Sequence, residues 1–114
     1  MADLTLFQMI EKGQIPADFV HEDDLCFAIR DINPQAPTHV LIIPRKPIAR
    51  LNEAQAEDAA LLGHLLLTAQ TVAAKCGLEK GYRVIINNGP DAGETVPHVH
   101  VHILGGKTMG ERLV

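Results

Sequence analysis

The 114 residues predict an α+β fold: an antiparallel five-stranded sheet with one long and one short helix. Three observations carry that reading. Elements run helix, strands, long helix, strands, and the links between strands are short, as in an antiparallel sheet with segregated helices. The segment Thr38-His39-Val40-Leu41-Ile42-Ile43-Pro44 is almost continuously apolar and therefore central in its sheet. Finally, His98-Val99-His100-Val101-His102-Ile103-Leu104 alternates imidazoles with apolar side chains at the period of a strand.

Taken in order, Thr5 to Ile10 reads as a short helix started by Thr5 and stopped at Gly13. Phe19 to Glu22 is a strand, Asp23-Asp24 a turn, and Leu25 to Asp31 a second strand with Leu25, Phe27 and Ile29 in phase. Pro34 and Pro37 break the Asp31–Pro37 connection before the apolar strand. Asn52 with Gln55 makes a capping box for the long helix, and Gly77 sits where a C-terminal glycine belongs. Between them, Leu61, Leu62, Leu65, Leu66, Ala69, Val72, Ala73 and Cys76 keep the helical period. Leu67 lies off that stripe, so the apolar surface is wider than a sheet-facing helix needs, and a homodimer contact is the simple explanation. Tyr82 to Asn87 is a strand, and Asn88 to Thr95 is a Gly-, Pro- and Asp-rich loop leading into the histidine strand. Pro97 is tolerable as the first residue of that strand, and Gly105-Gly106 end it. Residues 1–114 read as one domain.

Composition narrows the function classes. A hydrophobic content of 46% and a charged content of 21% are globular values. The formal net charge of −4 argues against nucleic acid as a partner. No apolar run reaches the ~18 residues of a membrane span, and no basic-then-apolar leader opens the chain. The expectation is a cytoplasmic protein with no membrane partner. Two cysteines do not make a disulfide framework: Cys76 reads as core filler, and Cys26 points opposite Leu25 and Phe27. His21 and His64 are expected to be exposed and without a role.

The alternating histidines have three readings: a solvated polar face, a metal site, or imidazoles gathered for proton and phosphoryl chemistry. Alternate side chains stand about 6.6 Å apart along a strand, so one phosphate group could touch more than one ring.

The segment His98–Leu104 resembles the histidine triad signature, in which three histidines alternate with apolar residues. Asp31–His39, the apolar run to Pro44, Gly81-Tyr82-Arg83, Asn87-Asn88-Gly89 and Gly105-Gly106 are similar to the Hint branch of that superfamily. The resemblance spans residues 5 to 108. It implies a homodimer with the sheet continued across it, and a purine nucleoside phosphoramidase that needs no metal or other cofactor. Its substrates would be AMP or GMP derivatives (AMP–amines, aminoacyl-adenylates), cleaved through a nucleotidyl-histidine. By motif position His100 is the nucleophile, with His98 and His102 as proton donor and phosphate contact in either order, and His39 in support. Asn87, Thr95 and the loop glycines Gly89 and Gly93 match phosphate-side positions, and Asp31 matches the ribose-binding one. Phe7, Ile10, Ile15, Ile29 and Ile32 match the purine pocket.

Three departures stand out: Pro97 before the triad, Ile29 where an aromatic is common, and a tail without tryptophan. Two alternatives remain open. One is hydrolysis of dinucleoside polyphosphates, the activity of a sister branch. The other is a zinc-binding interaction protein using the triad, Cys26 and His39, against which the lack of a neighbouring carboxylate or second cysteine counts.

Overall fold

The computed structural model describes residues 4–114. The elements are α1 (Leu6–Glu11), β1 (Phe19–Glu22), β2 (Cys26–Arg30), β3 (Thr38–Pro44), α2 (Ala59–Lys75), β4 (Tyr82–Ile85) and β5 (Val101–Gly105). The strands form one five-stranded sheet in the order β1-β2-β3-β5-β4. All four pairings are antiparallel, and the apolar run of β3 lies at the centre.

Both faces of the sheet are covered, which is why β2 and β3 are apolar on both sides. On one face α2 packs Leu65, Ala69 and Val72 against Cys26, Ala28, Val40, Ile42, Val101 and Ile103. On the other, Phe7 and Ile10 of α1 cover Phe27, Ile29, Leu41 and Ile43. α1 is short but well started: the Thr5 hydroxyl accepts the Gln8 N–H, and the Gln8 side chain takes the Thr5 N–H. Leu41 pairs with His102 in the β3–β5 ladder, so the imidazoles share the α1 face while Val99, Val101 and Ile103 enter the core under α2. At Gly105 a Cβ would stand 2.8 Å from the Leu78 methyl groups, so any side chain there would push Leu78 aside.

Several boundaries differ from the sequence expectation. The long helix begins at Ala59, not after Asn52; two 3-10 turns (Leu51–Glu53 and Ala56–Asp58) come first, and the capping box is Gln55 with Asp58. Leu66, expected on the buried stripe, is 51% exposed, and Leu67 is 63% exposed. At ~100° per residue the buried arc centres on Leu65, Ala69 and Val72, which leaves Leu66 at its edge and Leu67 opposite. Leu25 is likewise exposed, outside the β2 ladder. β4 stops at Ile85, two residues short.

The histidine strand is also shorter: regular pairing starts at Val101, so Pro97 does not open it and His98 and His100 precede it. The β3–β5 register, continued, would set Val99 opposite Pro44, which has no N–H to offer. The Val99 N–H goes instead to the Ile48 carbonyl at 2.7 Å. Alternation of faces survives this change.

Candidate active site

His98 is 1% exposed and has both ring nitrogens engaged. The Thr5 hydroxyl, itself accepting from Gln8, donates to His98 Nδ1 at 3.0 Å. The proton of His98 therefore sits on Nε2, which donates to the Pro44 carbonyl at 2.8 Å. Burial lowers its pKa below the ordinary histidine value, keeping it neutral.

The His98 carbonyl then orients the next imidazole. His100 Nδ1 donates to it at 2.7 Å, which leaves the Nε2 lone pair of His100 free. The ring packs edge-on against Phe7, with centroids 4.9 Å apart. Burial lowers the His100 pKa as well, against the opposing pull of the His98 carbonyl and of Asp31 and Glu94.

His102 is oriented from the far side. The backbone N–H of Gln35 donates to His39 Nδ1 at 3.0 Å, so His39 carries its proton on Nε2 and donates to His102 Nδ1 at 2.9 Å. His102 thus bears its own proton on Nε2, 3.5 Å from Asn87 Nδ2, and the Asn87 amide accepts that proton only with its oxygen turned to this place. Burial, then the neighbouring His100 and His39 rings, press its pKa down to about 4. The His100 and His102 rings lie 4.9 Å apart. Asp31 uses Oδ1 to accept the Asn33 N–H at 2.8 Å, a turn bond, while Oδ2 stands 3.5 Å from His39 Nε2.

The loop between β4 and β5 is held by side chains. Asn88 accepts the Leu51 N–H, and the Glu94 carboxylate takes two hydrogen bonds from Arg50, at 3.1 and 2.8 Å. Glu94 also accepts the Gly89 N–H at 3.0 Å, so that N–H is not free for a phosphate as expected. Arg50 and the Gly89 N–H hold the Glu94 pKa at about 2. Gly93 (φ +81°) and Thr95 lie exposed at the rim. Of the expected purine-pocket residues, Phe7 is buried with its ring against His98 and His100, Ile10 and Ile29 are buried in the same apolar cluster and Ile15 packs on it, whereas Ile32 is 89% exposed.

Three expectations are corrected. Cys26 lies in the core under α2, across the sheet from the histidines. A carboxylate does stand near the cluster, that of Asp31. His21 and His64 are partly buried and both reach Asp23 Oδ2 at 2.8 Å. The zinc set of triad, Cys26 and His39 is therefore not assembled. Among the described residues, Asp31, His39 and His102 do bring ligand atoms within 4.8 Å of one another, with His39 and His102 hydrogen-bonded to each other. Sequence reasoning missed Thr5, the Gln35 N–H and the Pro44 carbonyl as tautomer-setting partners. It also missed the Arg50–Glu94 pair, whose one visible signal was a charged residue between Gly93 and Thr95.

An antiparallel α+β sheet presenting alternating imidazoles on one face defines the histidine-triad class. The HIT domain family model matches residues 12–109, and the chain belongs to that family. It is 57% identical over 109 residues, 96% of each chain, to an uncharacterized HIT-like protein of Synechococcus elongatus. It is 50% identical over 107 residues to a 14 kDa zinc-binding protein of Zea mays, covering 92% of this chain and 84% of that one. Among solved structures, a HIT family hydrolase from Clostridium thermocellum superposes with a TM-score of 0.96 at 43% identity over 100% of both chains. Another from Legionella pneumophila gives 0.89 at 47% identity over 92% of this chain and 95% of that one.

Proposed function

We propose that the chain is a Hint-branch hydrolase that cleaves purine nucleoside 5′-phosphoramidates, and aminoacyl-adenylates, through a covalent nucleotide on His100. The observation that carries this reading is the free Nε2 lone pair of His100, set by the 2.7 Å hydrogen bond from Nδ1 to the His98 carbonyl. That nitrogen attacks the α-phosphorus while the P–N bond breaks and the amine departs with an added proton; in an aminoacyl-adenylate the P–O bond breaks and the carboxylate departs without one. Water then attacks the same phosphorus, giving a proton to His102 as the bond to His100 Nε2 breaks, which releases the nucleoside monophosphate and restores neutral His100. With both nitrogens of His98 committed, the remaining proton donor is His102, through Nε2. An anionic phosphate beside His102 favours its charged form, in which Nδ1 is also protonated and the bond from His39 gives way, so the departing proton enters with the substrate.

Asn87, Gly93 and Thr95 take the phosphate side, and Asp31 Oδ2 the ribose hydroxyls. Phe7, Ile10, Ile15, Ile29 and the exposed Ile32 take the purine. The exposed Leu66, Leu67, Tyr82 and Val84 support a homodimer. The cysteines are free, in keeping with the cytoplasm. No described helix is long and apolar enough to cross a membrane. The maize relative is named for zinc; here Cys26 lies across the sheet from the imidazoles, and both nitrogens of His98 are hydrogen-bonded, which supports chemistry at the triad without a metal.

The test is turnover of an adenosine 5′-phosphoramidate in excess EDTA, beside a dinucleoside polyphosphate. Full turnover with preference for the phosphoramidate supports the reading. Loss on chelation with recovery on adding zinc, or preference for the polyphosphate, overturns it.

A further inference from the structure

Across the sheet from the triad, at the end of the β1–β2 hairpin, three side chains unused by the proposed reaction converge on one oxygen of a fourth. Asp23 Oδ1 is fixed by the N–H groups of Leu25 (2.8 Å) and Cys26 (2.9 Å). Asp23 Oδ2 then receives His21 Nε2 at 2.8 Å, His64 Nε2 at 2.8 Å and Cys26 Sγ at 3.5 Å. These residues come from β1, the turn, β2 and α2. Ligand atoms of His21, Asp23 and Cys26 all lie within 4.8 Å of one another. We propose that His21, Asp23, Cys26 and His64 form a tetrahedral site for a zinc-class divalent ion that staples the β1–β2 hairpin to α2.

The donor set is two imidazoles, a thiolate and a carboxylate, which suits a borderline-soft ion and not magnesium or calcium. Zn–N and Zn–O bonds of about 2.0 Å with a Zn–S bond of about 2.3 Å put tetrahedral neighbours roughly 3.3 to 3.5 Å apart. Cys26 Sγ already stands at that spacing from Oδ2, and His21 Nε2 needs to move about half an ångström outward, whereas His64, which touches Oδ2 but lies outside the group of three, must swing towards the other donors to become the fourth ligand. Three donors now aim protons at one carboxylate oxygen, and a single cation replaces them. The Cys26 thiol proton leaves to solvent, and each imidazole moves its proton to Nδ1. The exposed Lys75 ammonium, 3.2 Å from His21 Nδ1, gives up that contact and keeps its bond to the Val20 carbonyl. Partial exposure of His64, Asp23 and His21 leaves an entry path from solvent.

Cobalt(II) titration of the reduced full chain tests this, because cobalt reports its ligands by absorption. The result expected is one equivalent bound, with a thiolate-to-cobalt charge-transfer band that persists in Cys76→Ser and disappears in Cys26→Ala. His64→Ala, on the helix surface, should weaken binding by more than about tenfold while leaving the fold intact. Zinc should raise the Tm of the unmodified chain and not that of His64→Ala. Absence of stoichiometric binding overturns the proposal. So does a thiolate band that survives Cys26→Ala, or binding that survives His64→Ala and is lost in His39→Ala, which would put the ion at Asp31, His39 and His102.

Discussion

His100 Nδ1 lies 2.7 Å from the carbonyl oxygen of His98, and this contact between neighbours in the triad decides which nitrogen of the central ring is free. A second chain of bonds, Gln35 to His39 to His102, decides the same for the third ring. The two flanking histidines are therefore not equivalent.

Replacement should separate them. His102→Ala is expected to lower kcat by about a hundredfold or more with little effect on stability, since it removes the proposed proton donor from a partly open site. His98→Ala strands the Thr5 hydroxyl and the Pro44 carbonyl in a buried place, and should lower unfolding free energy by about 2 kcal/mol. Urea unfolding beside steady-state kinetics on both variants checks this. Equal kinetic and stability effects would contradict the division of roles.

The pH profile follows from burial. The proposed nucleophile, His100, must be neutral to attack, and burial lowers its pKa, so its lone pair stays available below the ordinary histidine value of 6.5. The acid limb of kcat/KM, which reports the free enzyme, is expected below pH 6.5. An acid limb above that value would mean an imidazole stabilised in its charged form.

Glu94 should act through position. It holds the loop between β4 and β5 by accepting from Arg50 and the Gly89 N–H. Glu94→Ala frees the loop, and KM is expected to rise roughly tenfold with a smaller change in kcat. Because folding lowers the Glu94 pKa from 4.5 to about 2, its stabilising contribution is complete above pH 4.5 and is lost as pH falls towards 2. Acid unfolding of Glu94→Ala should accordingly lack part of the transition in that window.

For Asp31 the measurement is substrate choice. Oδ1 serves the turn while Oδ2 faces the cluster, so Asp31→Ala should narrow the preference for ribo- over deoxyribonucleotides. An unchanged ratio of kcat/KM values would make it a turn residue only.

Much of this arrangement was legible in the sequence, and the exceptions share a cause. Alternation along His98–Leu104 needs only the period of extended chain, and it holds even though regular pairing starts at Val101. The central place of β3 followed from its unbroken apolar run. Tautomers were not legible, because the Thr5 hydroxyl, the Pro44 carbonyl and the Gln35 N–H reach the rings from distant positions. Parity set Cys26 opposite Phe27 correctly, but only the fold shows that Phe27 shares the histidine face. The start of α2 was misjudged because Asn52 and Gln55 fit a capping box that the chain makes three residues later, with Gln55 and Asp58. His21 and His64 look unrelated until β1 and α2 bring them to one carboxylate.

The most direct measurement is intact-protein and peptide mass spectrometry after rapid acid-free quenching of the chain with an adenosine 5′-phosphoramidate. The account predicts a single added AMP, acid-labile and mapped to His100, absent from His100→Ala. No adduct under single-turnover conditions in an active enzyme, or an adduct on His98 or His102, would contradict it.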